Sequence, residues 1–267
     1  MIGPAYLVCA TQRSGSTLLC EALTATGVAG CPEEYFEARP STGARRAPRD
    51  YLEGLGDLNA LALVPDDDEQ GASPHSSLVG VRDYGEHLAR VRDWGTGPNG
   101  VWGAKVMWDH LGDLRELSGG RGPEELFPGL RYVWVRRADT VRQAISLWRA
   151  MQTRTWRRAG AQISHCSSAA GEPAYCFPAL RHLAERLARH DAAWEGFLAA
   201  RDRPVLALRY EEIAGDVAGA VRAVCDHLEV ALSEDVAPEA PLTRQADELS
   251  AAWVERYESD ARAVAPA

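Results

Sequence analysis

The chain has 267 residues and a formal net charge of −9, and 46% of its residues are hydrophobic. This length suffices for one α/β domain with a large core, and the negative charge disfavours binding to nucleic acid or to an anionic membrane. No apolar run approaches the roughly 20 residues that span a bilayer, so we expect no membrane insertion. The six cysteines lack metal-ligand spacing and no export signal precedes the first strand, which predicts a cytoplasmic protein with reduced thiols.

The first predicted element is a buried strand over the short apolar run at 5–10. A polar loop follows it, and Leu18, Leu19, Ala22 and Leu23 then recur at helical spacing. A loop between a strand and a helix N-terminus attracts anions, because free N–H groups and the helix dipole point at one spot. We therefore expect a phosphate-bearing donor to bind at the following residues: Arg13, Ser14, Gly15, Ser16, Thr17 and Leu18.

This loop is similar to a Walker A motif but differs from it at two positions. Thr11 or Gln12 stands near the place of the first glycine, and Ser16 occupies the place of the lysine. We also find no convincing strand that ends in an acidic magnesium ligand. The parts for metal-assisted nucleotide hydrolysis are therefore missing, and we expect no metal. Arg13 can supply the positive charge that the absent lysine would have given.

An acidic and aromatic segment with Glu33 and Glu34 follows the first helix. The next stretch, 38–50, is rich in Arg, Pro, Ser and Gly and predicts an exposed loop. Leucines spaced between 51 and 61 predict a modest helix, and a second helix is expected over 78–94.

The middle of the chain contains a predicted buried strand at 101–108, apolar on both sides of Lys105, which is the chain's only lysine. His110 follows this strand, and 109–125 is polar and rich in glycine, so no element is predicted there. The next strand is expected at 131–135.

A second anion site is predicted after that strand. Arg137 stands at its carboxyl end, and Asp139 is a good N-cap for a helix that carries Ser146. An arginine at the end of a strand and a hydroxyl on the following helix can grip one phosphate together.

The remainder predicts a surface loop or lid at 157–177, a long helix at 180–197, a strand at 204–208, a helix capped by Asp216, and a C-terminal amphipathic segment. Short apolar strands that alternate with amphipathic helices indicate an α/β fold, a three-layer sandwich with a central, mostly parallel sheet. No repeat or domain-sized linker interrupts this pattern, so we expect a single domain over 1–267.

Two anion sites without a P-loop lysine or a magnesium ligand favour the donor 3′-phosphoadenosine-5′-phosphosulfate (PAPS), which carries anionic groups at two separate ends. The first loop is expected to bind the 5′-phosphosulfate. Arg137 and Ser146 are expected to bind the 3′-phosphate.

The motif Gln12-Arg13-Ser14-Gly15-Ser16-Thr17-Leu18-Leu19 belongs to a longer set of matching positions. The others are 25–30, 32–36, 98–103, Lys105, Trp108, 148–150, 152–154, 244–247, 253–254 and 256–257. In these segments the chain resembles the mycobacterial trehalose 2-sulfotransferase family, a branch of the PAPS-dependent sulfotransferases of actinobacteria. The segments keep their order and span most of the chain. The stretches 38–96 and 157–177 do not match, and we expect them to shape the acceptor pocket.

The resemblance implies a P-loop-like sulfotransferase fold, a homodimer, and sulfuryl transfer to a hydroxyl of a small acceptor, such as trehalose or a glycosylated metabolite. It also implies a glutamate general base at the position of Glu34. Glu33 and His110 are rival bases, and the two glutamates could instead form a solvated acidic turn or pair with a loop arginine. Arg244 lies in the segment that resembles the nucleotide-clamping region, which implies a contact with the 3′-phosphate.

Other assignments stay open from the sequence. Arg13 and the N–H groups of 14–17 are placed to stabilise negative charge in the transition state, whereas Lys105 either contacts the transferring group or acceptor or forms a structural ion pair. Cys31 stands where a polar or acidic residue is expected, so a phenolic or natural-product hydroxyl is an alternative acceptor. A nucleotide kinase and a non-catalytic nucleotide-binding protein are alternative functions. Four tryptophans either stack on ligand or belong to the core: Trp102, Trp108, Trp148 and Trp156.

Overall fold

Four parallel strands form one sheet in the order β2–β1–β3–β4, with β1 at Ala5–Ala10, β2 at Trp102–Met107, β3 at Leu130–Arg136 and β4 at Val205–Arg209. The computed structural model describes residues 3–65, 78, 81, 83–156, 172–233 and 248–264. β1 lies between β2 and β3, so the connection after β1 leads to the strand on one side of it and the connection after β2 leads to the strand on the other side. The carboxyl end of β1 is therefore a topological switch point, where open α/β sheets bind ligands.

The helices in chain order are α1 (Ser16–Ala25), α2 (Leu58–Ala62), α3 (Tyr84–Gly95), α4 (Trp108–Leu117), α5 (Pro123–Leu126), α6 (Thr140–Thr153), α7 (Phe177–Ala199), α8 (Tyr210–Gly215), α9 (Val217–Leu228) and α10 (Glu248–Val264). A 3-10 helix at Pro48–Leu52 precedes α2. Among the described residues, no helix is both long and apolar enough to cross a membrane.

The chain divides into two compact units, each made of three segments. The first comprises Met1–Arg46, Ala72–Ala138 and His190–Ala240, and the second comprises Ala47–Gly71, Asp139–Arg189 and Pro241–Ala267. The single domain expected over 1–267 stays a prediction.

The sheet lies in the first unit and separates two apolar cores, because alternate side chains of each strand point to opposite faces. On one face, Leu7 and Ala104 pack with residues of α3, α4 and the end of α7. On the other, Val8 and Val133 pack with residues of α1, α8 and α9. The predicted three-layer arrangement with a parallel central sheet is confirmed.

The second unit has a core of its own on α6, α7 and α10, where Trp148 is fully buried and Leu180 and Trp253 pack around it. Asp139 caps α6 as predicted, since its side chain accepts a hydrogen bond from the N–H of Arg142 at 2.8 Å. The indole N–H of Trp148 donates to the carbonyl of Ala174 at 2.8 Å.

Two sequence predictions of local structure are wrong, and two helices were not predicted. The stretch 109–125, where the sequence predicts no element, contains most of α4 and of α5, and the modest helix at 51–61 is replaced by the 3-10 helix and α2. The loop 38–50 is largely half-buried rather than exposed, and within it Arg46 pairs with Asp113 at 2.5 Å. Of the predicted lid at 157–177, residues 157–171 lie outside the described part of the chain.

Candidate functional site

The loop Thr11–Gly15 carries the chain from the carboxyl end of β1 into α1 and adopts two left-handed backbone conformations. Arg13 has φ 62° and Gly15 has φ 86°. A Cβ atom at Gly15 would clash with the ring of Tyr210, so only glycine fits this turn. The turn aims the first N–H groups of α1, on Ser16 and its successors, into the space at the end of the strand.

This loop offers an anion both hydroxyl and backbone donors. The N-cap of α1 is Gly15, which has no side chain to cap the helix. The Ser14 hydroxyl is buried and has no hydrogen-bond partner in the described part of the chain. A buried hydroxyl without a partner is costly, and such groups are commonly completed by a ligand or water. The loop therefore has the donor set of an anion cradle.

Two arginines stand at this loop. A guanidinium N–H of Arg137 donates to the main-chain carbonyl of Arg13 at 3.1 Å, and the Arg137 guanidinium lies over the ring of Tyr210, 4.5 Å from its centroid. Burial, followed by the positive charge of Arg137, lowers the pKa of Arg13 to about 10. Arg13 therefore remains charged at neutral pH, and an anion between the two guanidinium groups would relieve their repulsion.

Lys105 connects the acidic segment to the anion loop. Main-chain pairing aligns the two regions, since the N–H of Lys105 donates to the carbonyl of Glu33 at 2.9 Å. The Lys105 ammonium then lies 2.6 Å from Oε1 of Glu34 and donates to the hydroxyl of Thr17, in the first turn of α1, at 3.0 Å. Lys105 is only 2% exposed, whereas Glu34 keeps 25% of its side chain accessible. One carboxylate is thereby fixed beside the anion loop and open to solvent on one side.

His110, in the first turn of α4, meets the same acidic segment. One carboxylate oxygen each of Glu34 and Glu37 and one ring nitrogen of His110 lie within 4.8 Å of one another. His110 is fully buried, and neither of its ring nitrogens has a hydrogen-bond partner among the described residues. Burial lowers its pKa, with Glu34 opposing that effect, so the ring is neutral near pH 7.

A further network supports the loop and was not predicted from the sequence. The Gln12 amide donates to Asp109 at 3.1 Å, and the other oxygen of Asp109 lies 3.4 Å from Nε2 of His190. The indole N–H of Trp194 donates to the carbonyl of Ala10 at 2.8 Å. These contacts tie the end of β1 to α4 and α7, which fixes the loop's position.

The structure places most of the predicted site residues in the first unit. Arg13, residues 14–18, Glu34, Lys105, His110 and Arg137 lie in the first unit. Ser146 lies on α6 in the second unit, and Arg244 lies outside the described residues. Trp102 and Trp148 are core residues, with Trp102 stacked on Phe127 at 4.0 Å between ring centroids.

The free energy of unfolding should fall as the pH falls from 7.5 to 5.5. Burial lowers the pKa values of His87, His110, His182 and His227. The unfolded chain, whose histidines titrate near about 6.5, then binds more protons than the folded chain below that pH, so stability is lost on acidification. Urea unfolding at several pH values measures this slope. We expect His110→Gln to flatten it by at most about 1.4 kcal/mol per pH unit, and an unchanged slope would contradict the buried neutral ring.

The chain matches known proteins over most of its length. Residues 5–260 match the family model for the Stf0 sulphotransferase. The chain is 35% identical to a trehalose 2-sulfotransferase of Mycobacterium tuberculosis, over 96% of this chain and 95% of the relative. It is 34% identical to a trehalose 2-sulfotransferase of Mycolicibacterium smegmatis, over 97% and 96%. The solved sulfotransferase domain of the curacin biosynthetic pathway aligns at 17% identity with a TM-score of 0.47, over 88% of this chain and 76% of that chain.

The family match covers nearly the whole chain, and both relatives align from end to end at more than 30% identity. The predicted resemblance is confirmed, and the protein is a sulfotransferase. The chain belongs to the Stf0 sulphotransferase family.

Proposed function

We propose that this enzyme moves the sulfuryl group of PAPS to a hydroxyl of a carbohydrate, with trehalose as the first candidate. The observation that carries the proposal is the placement of Glu34. The ammonium of Lys105 lies 2.6 Å from the Glu34 carboxylate, and the same ammonium donates a hydrogen bond to Thr17 at the anion loop. A proton acceptor thus stands next to a phosphate cradle. The names of the two mycobacterial relatives support the choice of acceptor.

The residues of the anion loop fit the donor. When bound, PAPS supplies an activated sulfuryl group whose transfer breaks the bond from sulfur to the bridging phosphate oxygen. Arg13, Arg137 and the N–H groups at 15–17 offer positive charge and hydrogen-bond donors to the anionic groups, and the unpartnered hydroxyl of Ser14 adds another donor. These groups are fixed before reaction, so they can stabilise the charge that develops on the bridging oxygen.

Glu34 acts as the general base in this proposal. The acceptor oxygen forms a bond to sulfur as its proton passes to the carboxylate of Glu34. The ion pair between Lys105 and Glu34 keeps this carboxylate oriented. His110 is the alternative base, because its buried ring is neutral and lies within 4.8 Å of the Glu34 carboxylate. Glu33 is the weaker candidate for the general base, because its main chain is held in a parallel bridge with β2.

The remaining parts of the proposal rest on the resemblance and the residue pattern. We infer a metal-independent reaction by a cytoplasmic homodimer that requires neither nucleic acid nor membrane. Ser146 and Arg244 remain predicted contacts of the 3′-phosphate.

An acceptor screen tests the proposed function. Purified protein is incubated with PAPS and one acceptor at a time: trehalose, another disaccharide, a glycoside or a phenol. A separate kinase assay replaces PAPS and the acceptor by ATP and a nucleoside monophosphate. Every reaction is run with and without EDTA. Mass spectrometry reads the products. We expect sulfated trehalose or another sulfated sugar, unaffected by EDTA. Sulfation of phenols alone would overturn the carbohydrate assignment, and binding of PAPS without transfer to any acceptor would favour a non-catalytic nucleotide-binding protein.

A further inference from the structure

The cluster of Glu34, Glu37 and His110 contains more polar groups than one reacting hydroxyl needs. Its three facing atoms, two carboxylate oxygens and one imidazole nitrogen, lie within 4.8 Å of one another. His110 is fully buried and neither of its ring nitrogens has a hydrogen-bond partner in the described part of the chain. A native protein rarely leaves such a group unsatisfied, so the cluster indicates a ligand.

The charges around the cluster favour a neutral ligand over a cation. Lys105 already lies 2.6 Å from Glu34, and Arg45 lies 3.8 Å from Glu37. A divalent ion would face both of these positive side chains at close range. A hydroxyl adds no charge, and it can donate its one proton to a carboxylate while its oxygen accepts a hydrogen bond from a ring N–H of His110.

The spacing also fits a hydroxyl. An oxygen that makes two hydrogen bonds of about 2.8 Å at a roughly tetrahedral angle joins atoms about 4.6 Å apart, which is within the spacing of the cluster. Two acidic side chains beside one histidine can therefore hold two hydroxyl oxygens at once, one on Glu34 and one between Glu37 and His110.

We propose that Glu37 and His110 bind the acceptor hydroxyl adjacent to the one that Glu34 deprotonates, so that the enzyme selects acceptors with two neighbouring hydroxyls. This inference rests on the proposed function, and it distinguishes sugars from simple alcohols and phenols. The names of the relatives indicate sulfuryl transfer to the hydroxyl on carbon 2 of trehalose. The free hydroxyl next to it is the one on carbon 3, because carbon 1 carries the glycosidic bond.

The test compares trehalose with 3,3′-dideoxytrehalose, which lacks the neighbouring hydroxyl on both of its equivalent rings. We expect kcat/KM to be about 100-fold lower for the dideoxy sugar, because a site built to hydrogen-bond a hydroxyl rejects an analogue without it. Glu37→Gln should lower kcat/KM for trehalose about 30-fold. It should also reduce the preference for trehalose over the dideoxy sugar to about three-fold or less. The matched control is Glu86→Gln, since Glu86 keeps 41% of its side chain accessible and pairs with Arg90 on its own helix. The control should match the wild type both in kcat/KM for trehalose and in the preference for trehalose over the dideoxy sugar.

Acceptor binding gives a second readout that does not depend on turnover. Saturation-transfer NMR with the desulfated nucleotide present should detect trehalose and fail to detect the dideoxy sugar, and circular dichroism checks the folding of Glu37→Gln and of His110→Asn. Equal turnover of the two sugars would overturn the inference and leave the proposed function standing. Tight Zn²⁺ binding that is lost in both variants would instead make the cluster a metal site and overturn the inference. Absence of sulfation of every carbohydrate would reject the proposed function and the inference with it, even where trehalose binds.

Discussion

Glu34→Gln should lower kcat about 1,000-fold, within the range measured for loss of a general base, and leave the affinity for the desulfated donor nucleotide within about two-fold. Glutamine keeps the size of the side chain and still accepts a hydrogen bond from Lys105, but it cannot take the proton of the acceptor hydroxyl. Sulfation rates by mass spectrometry and nucleotide binding by calorimetry measure the two effects separately.

The same experiment with the rival bases completes this prediction. We expect Glu33→Gln to retain most of the activity, because the substitution leaves the main-chain pairing of residue 33 with β2 in place. Near-normal turnover by Glu34→Gln, together with a large loss in His110→Asn, would transfer the role of base to His110. A loss of nucleotide affinity in Glu34→Gln would show that the substitution disturbs the anion loop.

Lys105→Met should lower kcat about 100-fold, because Glu34 and Thr17 lose the ammonium that connects them. Methionine preserves most of the length and packing of the side chain within β2. Removal of one partner from a buried ion pair costs about 3–5 kcal/mol, and the partial exposure of Glu34 should reduce this loss of stability to about 2 kcal/mol. Steady-state kinetics and urea unfolding measure the two quantities.

A double substitution decides whether Lys105 acts through Glu34. If it positions the base, Lys105→Met should cost little further activity in a protein that already carries Glu34→Gln, because the two residues act as a unit. Fully additive losses would mean that Lys105 contacts the donor or the acceptor independently. Lys105→Arg should restore part of kcat if positive charge beside Glu34 is what matters.

The strands were predictable from sequence because each is a short apolar run with turn residues at both ends, and the cap of α6 was predictable from Asp139. α4 was missed because Gly112 and the charged residues between 109 and 116 obscure its apolar face, of which Leu111 and Leu114 are buried. α8 has only six residues, too few for a periodic pattern to emerge. Local sequence signals therefore specified the sheet better than the helices that cover it.

The candidate site was predicted in its parts but not in its connections. The anion loop follows from one contiguous motif, and Glu34 and Lys105 each carried a functional expectation. Their ion pair joins residues far apart in the sequence and depends on the parallel bridge between Glu33 and Ala104. Glu37 was not singled out, although it lies three residues after Glu34, because its meeting with His110 is a tertiary contact.

The burial of the chain's only lysine gives the enzyme a built-in reporter of strand opening. An endoprotease specific for lysine can cut the polypeptide only after Lys105, and this bond lies within β2, paired with the centre of the sheet. Cleavage therefore requires the strand to leave its neighbours, and its rate follows the population of opened molecules. A compound that binds at the anion loop or at Glu34 should slow this cleavage, so unlabelled protein and a single-cut digest suffice to screen for donors and acceptors.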